Sequence, residues 1–467
     1  MRWTPAALAH AAGGKLLKVG SRPIETAFID SRQPRKDALF VPIVAARDGH
    51  EFIDSAIEGG ASAVLQAKGR PVPEADVTVV EVDDTLEGLG ELARSARRER
   101  AKVPSVAITG SNGKTTTRAM VEAVLACAYT PVLSTKGNFN NHLGLPLSLL
   151  EQPHRPKAEV LELGMSAPGE NDHLASIVQP RMGIVTSIAL EHLEFMGSLE
   201  AIAAAEAEIM PHLPPHGLLV IPSDAPLLEA HVPTGPGAPR VLRVGPDERA
   251  DLRVVEAELS SEGTRGVIEL PGGERVALEL RVFGVHNLRN AGAALAVGVY
   301  LGIPLPAMVD ALAKVDPVGD RGRVSTWRGH SIIADCYNAN PGSMQVALES
   351  LAAYGGNAPI HRIAVIGDML ELGPTAAQLH REQGELAARL GVDRLIGVGP
   401  LSVQAVEAFR AARGTEAGVA FDALPADATA IATSLRDALE GHEGAALLFK
   451  GSRGIRLESV VDALTRD

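Results

Sequence analysis

The sequence predicts an α/β protein of three domains, and three observations lead to that expectation. The chain has 467 residues, more than one hydrophobic core ordinarily organises, and about 100–200 residues per domain points to three. Short apolar runs alternate with stretches of helical period along the whole chain. One such run, V-P-S-V-A-I, leads directly into T-G-S-N-G-K-T-T-T, and the helical pattern R-A-M-V-E-A-V-L-A-C-A follows at once.

Residues 1–102 form the first expected domain. A-L-F-V-P-I, S-A-V-L-Q and V-T-V-V-E-V read as short buried strands, and F-I-D-S-A-I-E-G-G between them reads as a helix, which makes this domain α/β. A basic segment, A-R-R-E-R-A-K-V-P, closes it, and Pro104 introduces the next strand. Residues 103–315 form the central domain. V-L-E-L-G-M, G-I-V-T-S-I and G-L-L-V-I-P-S supply strands for a parallel sheet. T-R-G-V-I-E-L and E-R-V-A-L-E-L-R-V flank a P-G-G turn and predict a small antiparallel sheet. Residues 316–467, after K-V-D-P-V-G-D-R-G-R, repeat strand then helix through S-I-I-A-D-C-Y-N, H-R-I-A-V-I-G-D-M, R-L-I-G-V-G and A-L-L-F-K-G-S. That alternation predicts a Rossmann-like, doubly wound sheet whose ligands gather at the carboxyl ends of its strands. The connections A-K-V-P and K-V-D-P-V-G-D are the expected hinges between domains.

Composition excludes some functions. A net charge of -13 has the wrong sign for general nucleic-acid binding. Two cysteines cannot build a disulfide framework, which suits a reducing compartment. The longest uncharged run, Ala291–Val309, is broken by Gly298, Gly302, Pro304 and Pro306, so it reads as helix and loop and not as a membrane span. The amino terminus lacks the continuous apolar core of a secretory signal. A cytoplasmic monomer is the expectation.

The loop Gly110, Ser111, Asn112, Gly113, Lys114, Thr115 and Thr116 carries the chemistry. A full Walker A loop would need glycine at position 108, where the chain has Ile108, so this cradle is shorter. Its context is nevertheless that of a phosphate site: strand, glycine turn, then a helix whose first N–H groups and dipole favour an anion. Lys114 would neutralise the β- and γ-phosphates of a nucleoside triphosphate, and the Thr115 hydroxyl would ligate Mg²⁺. The plainer alternative is a strand-to-helix turn that happens to contain G-K-T. Lysine is scarce here, with ten in the chain, so its presence in this loop is not background composition.

Neighbouring strings carry a resemblance. T-G-S-N-G-K-T-T-T, T-K-G-N-F-N-N-H-L-G, E-L-G-M-S-A-P-G-E, F-G-V-H-N-L-R-N-A-G, D-C-Y-N-A-N-P-G-S-M, V-I-G-D-M-L-E-L-G and L-L-F-K-G-S-R-G-I-R-L-E occur in that order. Together they resemble the Mur ligase family of peptidoglycan synthesis, in the branch that adds D-alanyl-D-alanine to UDP-N-acetylmuramoyl-tripeptide. I-D-S-R, L-F-V-P-I and D-G-H-E-F extend the resemblance into the first domain, as its UDP-sugar-binding part. The resemblance implies ATP and Mg²⁺ as cofactors and a peptide bond made through an acyl phosphate. It implies Glu162 and His192 as metal positions. It places Asn287 and Asn290 on the adenine side, Arg323 on phosphate and Asp335 near the ribose. Asn338, Asn340 and Lys450 are the positions implied for the dipeptide. Ser31, Arg32, Asp48, Gly49 and His50, with Asn138 and Asn141 opposite them, are implied for the UDP-sugar.

One departure stands out. Members of the family usually carry a lysine whose carbamate helps to hold a second Mg²⁺, and here Glu206 occupies that place in E-A-I-A-A-A-E-A-E-I-M. No lysine lies between Lys157 and Lys314. Helical spacing sets Glu206 on a stripe with Leu199, Ile202, Ile209 and Met210, where an unpaired carboxylate is costly. Glu206 is therefore expected to stand in for the carbamate at the metal, with a half-exposed helix face as the bland alternative. Two other readings of the whole chain remain: a related ligase that adds a single amino acid, and a nucleotide-binding homologue without catalysis.

Overall fold

A computed structural model describes residues 3–151, 155–356 and 358–466. The first sheet takes its strands from β1 (Lys15–Lys18), β2 (Thr26–Phe28), β3 (Ala38–Phe40), β4 (Ala61–Ala67) and β5 (Thr78–Val82), in the order β1-β5-β4-β3-β2. β4 is buried along almost its whole length, as an apolar run between two covered faces requires.

The central sheet holds β6 (Ser105–Thr109), β7 (Val132–Ser134), β8 (Ala158–Glu162), β9 (Met182–Val185), β10 (Leu218–Pro222), β11 (Arg240–Gly245), β12 (Leu252–Ser260), β13 (Gly263–Glu269) and β14 (Arg275–Leu280). Their order is β14-β13-β12-β11-β10-β9-β6-β8-β7. The expected hairpin is present as β13 and β14, but it does not form a separate small sheet. β12 pairs parallel with β11 through Val244–Leu252 and Gly245–Arg253, so the antiparallel ribbon continues the parallel sheet. The third sheet comprises β15 (Arg323–Trp327), β16 (His330–Asp335), β17 (Arg362–Gly367), β18 (Arg394–Val398), β19 (Gly418–Phe421) and β20 (Ala446–Lys450), in the order β15-β16-β20-β17-β18-β19. All its pairs are parallel except β15–β16.

The first expected hinge is clamped. The helix Thr85–Glu99 packs within one continuous core that includes Leu65 and Leu89 on one side and Leu149, Leu161 and Ile177 on the other. Beneath its end, Glu159 of β8, wholly buried, pairs with Arg100 and lies 3.3 Å from Arg97 Nε. Arg97 also donates to Val178 O at 2.8 Å and to Ser105 Oγ at 2.6 Å. Burial works against this guanidinium and lowers its pKa, with Glu159 opposing that effect. The central and C-terminal domains meet through a smaller apolar cluster, in which Leu259 and Phe283, with Leu190 and Leu193 against them, join the C-terminal core. The Phe283 and Tyr354 rings lie 5.9 Å apart, and polar pairs described below add to the seam. Among the described residues, no helix is long and apolar enough to cross a membrane.

Candidate active site

Three neighbouring central strands, β8, β6 and β9, end on the same side, and the loops that follow them build one wall of a cavity of about 640 Å³. The carboxyl ends of β16 and β20 build the opposite wall, where Asp335 and Lys450 sit side by side in parallel register.

The phosphate loop leaves β6 at Gly110, whose φ of +122° only glycine accepts readily, and a Cβ there would lie 2.3 Å from Thr186 Oγ1. Gly113 caps the helix Lys114–Ala126 in the left-handed conformation, and a Cβ there would meet Asn290 Oδ1 at 2.9 Å. The loop is laced to the segment after β9. Ser111 N donates to Ser187 O at 2.9 Å, Asn112 N to Ser187 Oγ at 2.8 Å and Thr186 Oγ1 to Asn112 O at 2.6 Å. Loop shape is thus held by the protein's own contacts, which favours binding by preorganisation.

Lys114 donates to Gly110 O and stands among three buried carboxylates. Burial opposes its charge, but Glu191, Glu206 and Glu162 outweigh that and hold its pKa above the ordinary lysine value. Glu162, at the end of β8, accepts from Thr115 Oγ1 at 3.2 Å and from Asn140 Nδ2 at 3.0 Å, and its Oε2 lies 3.5 Å from Arg118 Nε. Glu191, to which no motif in the sequence points, lines the cavity, and burial pushes its pKa up to about 8 against the pull of Lys114. Its only sequence signal is adjacency to His192. His192 holds φ at +48°, and its Nδ1 lies 2.5 Å from Glu371 Oε2 of the C-terminal domain, itself a non-glycine residue at φ +61°. Two strained residues facing each other across a domain seam mark a functional junction.

Glu206 is fully buried, as its helical stripe predicts, together with Ile202, Ile209 and Met210. Its Oε2 accepts from Thr109 Oγ1, from Gly110 N at 2.8 Å and from Asn171 Nδ2 at 3.1 Å. The carboxylate therefore braces the first residue of the phosphate loop, and it does not line the cavity. Burial raises its pKa, with Lys114 and these donors working the other way.

Arg323, expected on phosphate, is exposed on β15, where its Nη2 donates to Gly319 O at 3.2 Å, and it stands outside the cavity. Gly322, between Arg321 and Arg323, holds φ at +69° and turns the chain just before β15, so the two arginines do not share a face. Arg321 lines the cavity and stacks on Tyr337, 3.4 Å from the ring centroid. Asp335, expected at the ribose, and Lys450, expected at the dipeptide, bind each other at 2.7 Å, and Lys450 also donates to Asn338 O at 3.1 Å. Asn287 and Asn290 are brought to the cavity, with Asn290 Nδ2 donating to Asn287 Oδ1 at 2.9 Å beneath the loop. Asn340 is not on the cavity wall. Its side chain caps the helix Pro341–Ala353 and exchanges amide hydrogen bonds with Asn112 of the phosphate loop, at 2.9 and 3.3 Å.

The first-domain candidates lie apart from the cavity, whereas Asn138 and Asn141 line it. Ser31 is half-buried, and Arg32, with its side chain 87% exposed, pairs with Asp30 at 2.9 Å. Asp48 accepts from His50 N and, at 2.6 Å, from His50 Nδ1, while His50 Nε2 accepts from Ala67 N at 3.0 Å. These bonds assign His50 as the neutral Nδ1–H tautomer and give Asp48 and His50 a structural task, pinning the start of a 3-10 helix to β4. Hydrogen bonds from His50 hold the Asp48 carboxyl down at about 2. A Cβ on Gly49 would fall 2.6 Å from Ile43 N, so that position is a close backbone approach.

Whether these residues suit a divalent cation can be judged from unsatisfied atoms. Glu162 Oε2, Glu191 Oε1 and Glu206 Oε1 are all buried without a hydrogen-bond partner. Of these, Glu162 and Glu191 face the cavity, and hard carboxylate oxygens left without donors beside a phosphate loop fit Mg²⁺. No three His, Cys, Asp or Glu side chains converge on one point among the described residues, so phosphate oxygens and water would have to complete the ion's shell.

Known proteins resemble this chain in sequence and fold. Residues 108–298 match the Mur ligase middle domain, and residues 322–453 match the Mur ligase, glutamate ligase domain. The chain is 36% identical over 445 residues to the UDP-N-acetylmuramoyl-tripeptide–D-alanyl-D-alanine ligase of Bacillus subtilis, with 93% of this chain and 92% of that protein covered. A crystal structure of MurF from Acinetobacter baumannii superimposes with a TM-score of 0.87 at 28% identity, covering 100% of this chain and 99% of that one. MurF ligase from Thermotoga maritima in complex with ADP gives 0.81 at 28% identity, over 94% and 97% of the two chains. Identity above 30% across nearly the full length of both proteins leaves no room for a partial or purely architectural likeness, and the chain belongs to the Mur ligase family.

Proposed function

We propose that the protein joins D-alanyl-D-alanine to the terminal carboxylate of UDP-N-acetylmuramoyl-tripeptide, with ATP as the driving nucleotide, as a monomer in the cytoplasm. The carrying observation is that the phosphate loop and the carboxyl ends of the C-terminal sheet share one cavity, so nucleotide and acceptor can meet there. Similarity to a ligase of that name over 93% of the chain supports the substrate pair.

The tripeptide carboxylate attacks the γ-phosphorus, ADP leaves, and an acyl phosphate remains. The dipeptide amine then attacks the acyl carbon, loses a proton, and expels phosphate. The first step brings two anions together, so positive charge must be in place beforehand. Lys114, kept protonated by its three acids, supplies it at the loop, and the N-terminus of the helix Lys114–Ala126 adds its dipole. Thr115 and Glu162 would hold Mg²⁺, which when bound screens the phosphate charge. Closure of the C-terminal domain across the Asn112–Asn340 and His192–Glu371 contacts would keep water from the acyl phosphate. Arg321 takes the phosphate-facing role expected of Arg323, Asn287 and Asn290 the adenine side, Asp335 the ribose, and Asn338 and Lys450 the dipeptide. Ser31, Arg32, Asn138 and Asn141 are assigned to the UDP-sugar, with Asp48, Gly49 and His50 as support behind them. No carbamylated lysine takes part, because Glu206 places an encoded carboxyl group beside the loop.

The test measures ADP and phosphate release with each substrate omitted in turn. Release that needs both UDP-N-acetylmuramoyl-tripeptide and D-alanyl-D-alanine is the expected result. Dependence on a single amino acid, or nucleotide binding without release, would replace it with one of the two alternative readings.

A further inference from the structure

The three acids around Lys114 differ in what they can reach. Glu206 has one oxygen occupied by three donors and is walled off from the cavity. Glu162 faces the cavity but already accepts from Thr115 and Asn140. Glu191 also faces the cavity, is only 7% exposed, and aims a buried Oε1 that no donor meets. It comes from the segment after β9, whose Thr186, Ser187 and Ala189 bond Ser111 and Asn112 of the phosphate loop, so its position is tied to that of the phosphates.

Three carboxyl groups outnumber the single ammonium in this buried site, and Glu162 Oε2 and Glu191 Oε1 are left without a donor. Such a surplus is costly unless a cation enters or protons neutralise it. We propose that Glu191 is a ligand for the divalent cation that accompanies the nucleotide, reaching it from the β9 side while Glu162 approaches from the β8 side. This deepens the function proposed above and takes from it only that a metal-bound nucleotide occupies the loop. Glu206 then acts on the cation through the loop it braces, and the accessible charge comes from Glu191.

The test uses the full chain, with Mn²⁺ as the probe and ADP as the nucleotide. Electron paramagnetic resonance follows free Mn²⁺, and calorimetry follows ADP in the presence of EDTA. For Glu191→Gln, the Mn²⁺ affinity of the ADP complex should fall about tenfold or more, while metal-free ADP binds as in the wild type or more tightly. Unchanged Mn²⁺ affinity would overturn the proposal. An equal loss of metal-free ADP binding would also overturn it, since that outcome makes Glu191 a support for the loop. Glu191→Asp keeps the charge and draws the carboxylate back by one methylene, so it guards against a folding defect in the glutamine variant. It should alter the spectrum of bound Mn²⁺, and a spectrum identical to that of the wild type would refute direct ligation. Neither readout requires bond formation, so an absence of ligase turnover in the wild type would count against the proposed function alone.

Discussion

Replacing Asn340 separates two tasks performed by one side chain. Its Oδ1 accepts from Ser343 N at 2.8 Å and caps the helix Pro341–Ala353, and its amide also pairs with Asn112 of the phosphate loop at 2.9 and 3.3 Å. Serine is as good an N-cap as asparagine but is too short to reach Asn112, whereas alanine abolishes both contacts. One of the two amide bonds is of ordinary length and the other lies at the weak limit, so the pair contributes about 1–2 kcal/mol. That is about 5–30-fold in the fraction of molecules with loop and C-terminal domain engaged, and ADP affinity should fall by the same factor. Loss of the cap costs about 1 kcal/mol of stability. Asn340→Ser should therefore bind ADP about 5–30-fold more weakly with an unchanged urea midpoint, and Asn340→Ala should show both defects. A double-mutant cycle with Asn112→Ala should return a coupling of about 1–2 kcal/mol. Additive effects of the two substitutions, or wild-type ADP affinity in Asn340→Ser, would refute the idea that these amides join the domains.

Other expectations follow from the same geometry. Glu206→Gln removes the charge behind three hydrogen bonds and should lower kcat/KM by about 10–100-fold. Bicarbonate depletion should leave the wild-type rate unchanged, and a loss restored by adding bicarbonate would contradict the role given to Glu206. Glu159→Ala leaves Arg97 and Arg100 buried without their carboxylate and should cost about 3–5 kcal/mol in urea unfolding; a cost below about 1 kcal/mol would show that backbone carbonyls satisfy both guanidinium groups. His286, beside the cavity, is held at about 4 by burial, below its ordinary 6.5. The unfolded chain therefore takes up that proton first, so His286 favours the folded state fully above about pH 6.5 and loses that contribution as pH falls towards 4. His286→Gln should flatten the stability profile in that window, and an undiminished slope would count against this assignment.

Much of the site is legible in the amino-acid sequence. G-S-N-G-K-T-T between a strand and a helix locates the phosphate cradle, because local backbone geometry and a helix dipole are properties of contiguous residues. Glu162 and Asp335 can be placed at strand ends for the same reason. Glu191 is not legible in this way, because a single glutamate in a loop has no pattern and only folding brings it beside Lys114. Motif matching points to Arg323 where the cavity holds Arg321; the turn at Gly322, with φ at +69°, separates the directions of the two side chains, and only the folded course of the chain shows which one faces the cavity. Asn340 reads as a substrate contact because its true partner, Asn112, is remote in sequence. Asp48 and His50 read likewise, and their tautomer-fixing bonds to each other and to Ala67 give them a structural task.

Periodicity, turn residues and the glycine loop lie within windows of ten to twenty residues, so the sequence alone determined three α/β domains, the location of the nucleotide cradle and the absence of a lysine between Lys157 and Lys314. What only the tertiary structure decided is which charges share a dielectric. Four residues from separate segments, Lys114, Glu162, Glu191 and Glu206, become one electrostatic unit because β6, β8 and β9 are neighbours in the sheet. The same packing fused the first two domains through buried arginines where a hinge was expected. Coulomb energy and desolvation depend on distance in space and on the exclusion of water, and neither can be read from spacing along the chain.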